Sequence, residues 1–205
     1  MDQTPTQDPR VEVLEKTTPY SGFFSLDLYR LRHKKFNGDW TREISREVLE
    51  RGHAAAVLPY DPKRDLVVLI EQFRVGALAA GMEPWTIEIV AGIIDQGETP
   101  EEVARREAGE EADLAVKELV PIGRFLTSAG GSSETHQLYC GRIDSEGAGG
   151  IHGLQNEEED IRVFACSLNE ALGRIECGEI TNFTAAVALQ WLALNKERLQ
   201  REWTP

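Results

Sequence analysis

Basic residues are scarce in this chain: 22 lysines and arginines stand against 35 aspartates and glutamates in 205 residues, a formal net charge of −13. That balance argues against binding along a nucleic-acid backbone, where basic patches and counterion release supply the affinity. A small anion is also repelled by the overall field, so holding one requires metal ions or a few placed arginines. Cysteine is scarce as well. Cys140, Cys166 and Cys177 show no C-x-x-C spacing and build no disulfide framework, which fits a reducing cytoplasm. No run of about 18 uninterrupted apolar residues occurs, and the N-terminal stretch lacks a basic region followed by an apolar one. Neither a membrane span nor export is expected. His33, His53, His136 and His152 are never paired at ligand spacing, which gives zinc no pattern to use. G-x-G-x-x-G, G-x-x-x-x-G-K-[ST] and G-x-S-x-G are all missing, so the usual phosphate-cradling loops and the strained serine nucleophile have no sequence to carry them. Chemistry on a phosphate compound falls to metal.

What is present is enough apolar content, 41%, to bury a core as one large domain or one domain with an appendage. Residues up to about Thr18 read as a mobile arm with one short strand over Val11 to Leu14. "F-F-S-L-D-L-Y-R-L-R-H" and "T-R-E-I-S-R-E-V-L" alternate like strands around the turn signal Asn37-Gly38, predicting a hairpin. "H-A-A-A-V-L-P-Y" and "L-V-V-L-I-E-Q-F-R" follow, the latter apolar enough to be covered on both faces. "W-T-I-E-I-V-A-G" predicts a further strand, and others are expected near Leu119 to Phe125, Gln137 to Ile143 and Ile161 to Cys166. Ser167 with Glu170 signs a capping box, Leu168, Ala171, Leu172 and Ile175 give the helical stripe, and Gly178 a stop. A last helix is expected from about Thr184 to Arg201. Strands interleaved with a few helices, without regular alternation, predict a mixed α/β fold in which helices flank a mixed sheet.

One segment is charged in a way that stability does not favour. In "G-E-T-P-E-E-V-A-R-R-E-A-G-E-E-A-D", Thr99 suits the N-cap, Pro100 the first helical position and Glu102 the returning carboxylate of a capping box. Glu107, Glu110 and Glu111 then stand three and four residues apart, on one helical face with Val103 and Ala104. Each like-charge pair at that spacing costs about 0.2 to 0.5 kcal/mol, and negative charge in the last turn opposes the helix dipole by roughly 0.3 to 1 kcal/mol. A solvated charge run is the plain alternative. A hard divalent cation offsets the repulsion, since Mg²⁺ takes one or two carboxylates and completes its shell with water and substrate phosphate.

Read from Gly92, "G-I-I-D-Q-G-E-T-P-E-E-V-A-R-R-E-A-G-E-E-A-D-L" resembles the Nudix box, G-x5-E-x7-R-E-U-x-E-E-x-G-U with U aliphatic. Gly92, Glu98, Arg106, Glu107, Glu110, Glu111 and Leu114 occupy its fixed positions. Ala108 is a small version of the aliphatic position, and Asp113 replaces the last glycine. That glycine serves a left-handed conformation just past the helix, which Asp tolerates, so Asp113 is expected at positive φ. "G-F-F-S-L-D-L-Y-R", "E-R-G-H-A-A", "I-E-Q-F-R", "W-T-I-E-I-V-A-G" and "G-I-H-G-L-Q-N-E-E-E-D-I-R-V" extend the resemblance over most of the chain, to the bacterial ADP-ribose pyrophosphatases within that family.

The resemblance implies a Nudix α/β/α sandwich with a mixed sheet over residues 51–205, preceded by a small N-terminal antiparallel strand domain, 1–50, exchanged across a homodimer. It implies attack of a metal-activated water on ADP-ribose, giving AMP and ribose 5-phosphate, with Mg²⁺ as the ion and Mn²⁺ as a possible substitute. Glu107 and Glu111 are then metal ligands, with Glu110 ligating or bridging through water and the Ala91 carbonyl contributing. Arg106 steadies the glutamates by ion pairing, and Glu98 supports them. Glu157 in "Q-N-E-E-E-D" best matches the catalytic base, with Glu158 and Glu159 beside it. Arg74 is expected on phosphate, Glu134 and Arg46 on polar groups of the substrate and Phe23 on adenine, Phe23 and Arg46 coming from the partner subunit. Ala129 stands where those enzymes usually carry proline, which keeps another nucleoside diphosphate derivative, a nucleotide sugar or a dinucleotide, as an alternative substrate. A non-catalytic module that senses such a ligand is the alternative from outside the enzymes.

Overall fold

The computed structural model describes residues 8–154 and 158–204. The chain divides into two compact units, Met1–His53 with Leu126–Thr135, and Ala54–Phe125 with His136–Pro205. Among the described residues no helix is long and apolar enough to cross a membrane.

The first unit is built on an antiparallel sheet of β1 (Val11–Ser21), β2 (Ser25–His33) and β3 (Ile44–Glu50), in that order. The expected hairpin turn lies between β2 and β3, with Gly38 at φ 93°. The predicted mobile arm is a correction: strand continues to Ser21 and pairs along the length of β2. Register shifts at Val13/Glu15 and Thr17/Tyr20 break the alternation that would have revealed it. Ion pairs hold β1 down. Arg32 meets Glu12 and Arg30 meets Glu15, both at 2.6 Å, while buried Asp27 accepts from Thr18 at 2.6 Å and pairs with Lys16 at 2.7 Å. Residues 126–135 return to this unit, where the Leu49 N–H donates to the Gly131 carbonyl at 2.8 Å.

The second unit contains β4 (Ala54–Asp61), β5 (Leu66–Phe73), α1 (Val75–Ala79), β6 (Trp85–Glu88), β7 (Val90–Ile93), α2 (Pro100–Ala112), β8 (Leu119–Leu126), β9 (Thr135–Arg142), β10 (Gly150–His152), β11 (Ile161–Ser167), α3 (Leu168–Glu176) and α4 (Phe183–Trp203). The main sheet runs β10-β11-β5-β4-β9-β8 and is mixed, since β9 lies parallel to β4 while β5 and β7 are antiparallel to it. β4 is buried along its whole length. Its alternate residues serve two cores: Ala56, Leu58 and Tyr60 pack with residues of α3 and α4, and Val57 packs with Ala104, Ala108 and Ala112 of α2. Helices therefore cover both faces, as expected. α1 and β10, at five and three residues, were too short to show a period. In α3, Ser167 accepts from the Glu170 N–H, but the Glu170 carboxylate meets Arg174 one turn on, so only half of the expected capping box is present.

The stretch expected to be one strand, 85–92, divides at Ile89 for a geometric reason. β4 and β5 pair only beside their shared turn, at Tyr60↔Val67 and Asp61↔Leu66. Beyond it β6 takes β5, from Phe73↔Trp85 to Ile70↔Glu88, and β7 takes β4, from Val57↔Val90 to Ala54↔Ile93. One segment thus closes the gap between two separating strands.

Asp61 ties the far end of β4 to the segment after β9. It is buried and accepts from the N–H groups of Lys63, Arg64 and Ser145, the Ser145 hydroxyl and the Arg64 guanidinium at 2.7–3.1 Å. Burial pushes its pKa up, but hydrogen bonds from Ser145 and Arg64 outweigh it and leave the carboxyl well below the usual range. A depressed carboxylate contributes stability that is present above its unfolded value near 4 and lost as pH falls through the folded value. Asp61→Asn is therefore expected to lower the unfolding free energy by about 2 to 4 kcal/mol at pH 7. Urea titrations should show the gap from wild type closing below pH 4.

Candidate active site

The acidic helix α2 is fixed at both ends by local chemistry. Thr99 Oγ1 accepts from the Glu102 N–H at 3.3 Å, the Glu102 carboxylate accepts from the Thr99 N–H at 2.8 Å, and Pro100 occupies the first turn. At the other end Asp113 adopts φ 53°, ψ 40°, the left-handed conformation its position predicts, and the Leu114 N–H reaches the Ala108 carbonyl at 2.9 Å. Gly109 faces open space, and nothing in the structure explains it. With the ends fixed, Val103, Ala104, Ala108 and Ala112 face the sheet, and Glu111 is carried inward with them, 4% exposed.

Glu111 and Glu107 meet β7. The Ala91 N–H donates to Glu111 Oε2 at 3.0 Å. Glu107 lies across Gly92 so closely that a Cβ on Gly92 would stand 1.7 Å from its Oε1. The first glycine of the box is thus demanded by Glu107, the glutamate that follows its arginine. Arg106 ties the others together: Nε and Nη2 take the two oxygens of Glu98 at 3.0 and 3.2 Å, and Nη1 donates to Glu107 at 2.7 Å and Glu110 at 3.0 Å.

Neutralisation is incomplete. Burial, which the Ala91 N–H opposes and the neighbouring Glu107 reinforces, pushes the Glu111 carboxyl up to about 8. Burial also raises Glu107, against the pull of Arg106. Glu159, whose carboxylate accepts from the Leu154 N–H at 3.1 Å, adds its charge to both. Arg74 is the cation that opposes Glu111, and it forms a two-pronged pair with buried Glu88. A buried and a half-buried carboxylate with residual repulsion are a hard-oxygen donor set, which fits a divalent cation. Among the described residues no three His, Cys, Asp or Glu side chains are grouped so as to hold an ion by themselves. A shell of one or two carboxylates completed by water and substrate needs no such trio.

Of the residues singled out from sequence, Glu98, Arg106, Glu107 and Glu110 form one network, and Glu111 joins Ala91 and the field of Arg74. Phe23, Arg46 and Glu134 belong to the N-terminal unit. Phe23 is exposed beside Phe24, Arg46 donates to the Ser45 carbonyl, and Glu134 is buried against Arg51. Glu157 lies outside the described residues. The residues that sequence reasoning missed are Glu88 and Thr86. Their signal was there: in "W-T-I-E-I-V" both alternate with isoleucine inside a strand expected to be covered, which obliges them to find polar partners.

Gly92→Ala is expected to displace Glu107, with a stability loss of about 1 to 3 kcal/mol from the forced overlap. Turnover should fall much further than that loss explains. Thermal melts and steady-state rates on one preparation check both.

The NUDIX domain model matches residues 50–191. The chain is 52% identical over 193 residues to the ADP-ribose pyrophosphatase of Escherichia coli K12, covering 94% of this chain and 92% of that one. It is 37% identical over 158 residues to the GDP-mannose pyrophosphatase of Citrobacter koseri, covering 76% and 81%. A solved structure titled "Crystal structure of ADP compounds hydrolase" superposes with TM-score 0.70 at 20% identity, covering 96% and 97% of the two chains, and shares the fold. Family membership implies use of a divalent metal. With the box glutamates gathered at β7 and a family match spanning most of its length, this chain belongs to the Nudix family.

Proposed function

We propose that this chain hydrolyses the diphosphate of ADP-ribose to AMP and ribose 5-phosphate, using Mg²⁺ with Mn²⁺ as a possible substitute. The observation that carries the reading is the pairing of half-buried Glu107 with buried Glu111, set against β7 at residual repulsion. Similarity to the E. coli ADP-ribose pyrophosphatase supports the substrate. A bound divalent ion supplies an acidified water and neutralises charge on the diphosphate.

The chain's own residues divide the remaining work. Glu107, Glu111 and the Ala91 carbonyl hold the ion, with Glu110 as a direct or water-bridged ligand. Arg106 keeps Glu107 and Glu110 in place through Nη1 while Glu98 holds its other edge. Arg74 takes phosphate oxygens, which its planar fork suits. Glu157 removes the proton of the attacking water, and Glu159, whose charge reaches Glu107 and Glu111, is the neighbour to compare with it. Glu134 binds polar groups of the substrate. In a homodimer that exchanges residues 1–50, Phe23 and Arg46 serve the partner subunit's substrate. The three free cysteines fit a cytoplasmic protein.

A nucleotide sugar is the second reading, favoured by the GDP-mannose pyrophosphatase relative and by Ala129. AMP release from ADP-ribose should require Mg²⁺ and stop on chelation. Glu111→Gln should lower turnover by about a hundredfold or more, since losing even a residue that only orients a metal ligand costs about 10- to 100-fold. Glu157→Gln should lower it more than Glu159→Gln, and GDP-mannose run in parallel should be cleaved more slowly. ADP-ribose that binds but is never cleaved would turn the site into a sensing module.

A further inference from the structure

Arg74 follows β5 directly, its N–H bonded to the Pro84 carbonyl at 2.7 Å. The pairing Ile70↔Glu88 and Gln72↔Thr86 puts the side chains of Ile70, Gln72, Thr86 and Glu88 on one face, and Arg74 continues it. Ile70 packs in the core that α2 covers. Beyond it that face turns polar. Glu88, only 5% exposed, takes Arg74 Nε on Oε1 at 3.1 Å and Nη2 on Oε2 at 2.9 Å, and the Thr86 hydroxyl donates to its Oε1 at 2.5 Å.

The geometry of this pair is directional. Glu88 occupies the side-on edge of the guanidinium. The end-on edge, Nη1 and the second hydrogen of Nη2, has no partner among the described residues. The Arg74 side chain is 43% exposed while that of Glu88 is 7%, so the inner edge is fixed and the outer edge is open. Glu111 of the box and Glu159 both act on Arg74 electrostatically, which puts its guanidinium within their field. Gln72, buried on the same face, leaves its Nε2 without a partner, so packing alone does not account for the polar groups here. An arginine free to sample its rotamers loses that freedom when it grips an anion; one already held loses less.

We propose that Glu88, braced by Thr86, is a positioning residue that fixes the side-on edge of Arg74, so that the end-on fork grips two oxygens of the substrate diphosphate. This rests on the hydrolase reading above. Glu88 touches no substrate atom; it acts through Arg74, and the contact it prepares strengthens substrate binding more than the chemical step.

The test is steady-state kinetics of the Mg²⁺-loaded enzyme on ADP-ribose for Glu88→Gln, Arg74→Lys, the double variant, Thr86→Val and Thr86→Ser. Lysine keeps the charge but not the fork. Glu88→Gln is expected to raise KM about tenfold with kcat changed by less than about twofold, the size expected when one charge-assisted pair is lost. The double variant should be no worse than Arg74→Lys alone. Thr86→Val should shift KM the same way, and Thr86→Ser should restore it. Additive effects in the double variant, or a fall in kcat at unchanged KM, would mean that Glu88 supports structure only and overturn the proposal. If Glu88→Gln does not fold, the Thr86→Val and Thr86→Ser pair decides on the same KM readout. If wild type cleaves nothing, the hydrolase reading fails by itself. Calorimetric binding of ADP-ribose to the same variants then tests the bracing through Kd in place of KM.

Discussion

Glu111 sits with 4% of its surface exposed, one backbone N–H on its carboxylate and two other glutamates adding charge against it. Housing that charge is the constraint on which the surrounding structure depends. α2 must present Glu111 on the same side as the alanines that pack on the sheet, because only there does it reach the Ala91 N–H. β7 must be glycine at position 92, because Glu107 lies across it. Arg106 must bridge the outer carboxylates, and its four hydrogen bonds go to Glu98, Glu107 and Glu110, none to Glu111. A soluble helix chosen for stability alone would place an apolar residue there.

The fold supplies the place where such a helix can sit. β4 and β5 separate beyond their shared turn, and the segment that fills the gap changes partner at Ile89. Its first half ends at Glu88, which holds Arg74, and its second half begins with Val90 and Ala91, which meets Glu111. The four residues from Glu88 to Ala91 therefore position a cation and a carboxylate that oppose one another. Two cores on opposite faces, one with α2 and one with α3 and α4, bury β4 along its whole length.

Much of this was legible in the sequence because the signals are local. Thr99, Pro100 and Glu102 mark the start of α2, and Asp113 in a glycine position marks its left-handed end. The box glutamates are recognisable because their spacing runs against helix stability. What could not be read depends on partners distant in sequence. β1 is a long strand held by ion pairs across two register shifts, so its alternation is broken where it matters. The division at Ile89 follows from how far β4 and β5 diverge, which no periodicity reports. Glu88 was visible only as an acid in an apolar strand, and its role depends on Arg74, fourteen residues earlier.

The central claim is that the box glutamates are a stability cost which a divalent cation offsets. The most direct measurement is the unfolding free energy of wild type and Glu111→Gln, each in chelator and in saturating Mg²⁺. Removing a buried carboxyl displaced to about 8 should make the metal-free variant more stable than wild type by about 1 to 3 kcal/mol near neutral pH. Mg²⁺ should then stabilise wild type more than the variant, since ligand that binds only the folded state adds to its stability. A metal-free wild type as stable as the variant, with no shift on adding Mg²⁺, would contradict the account.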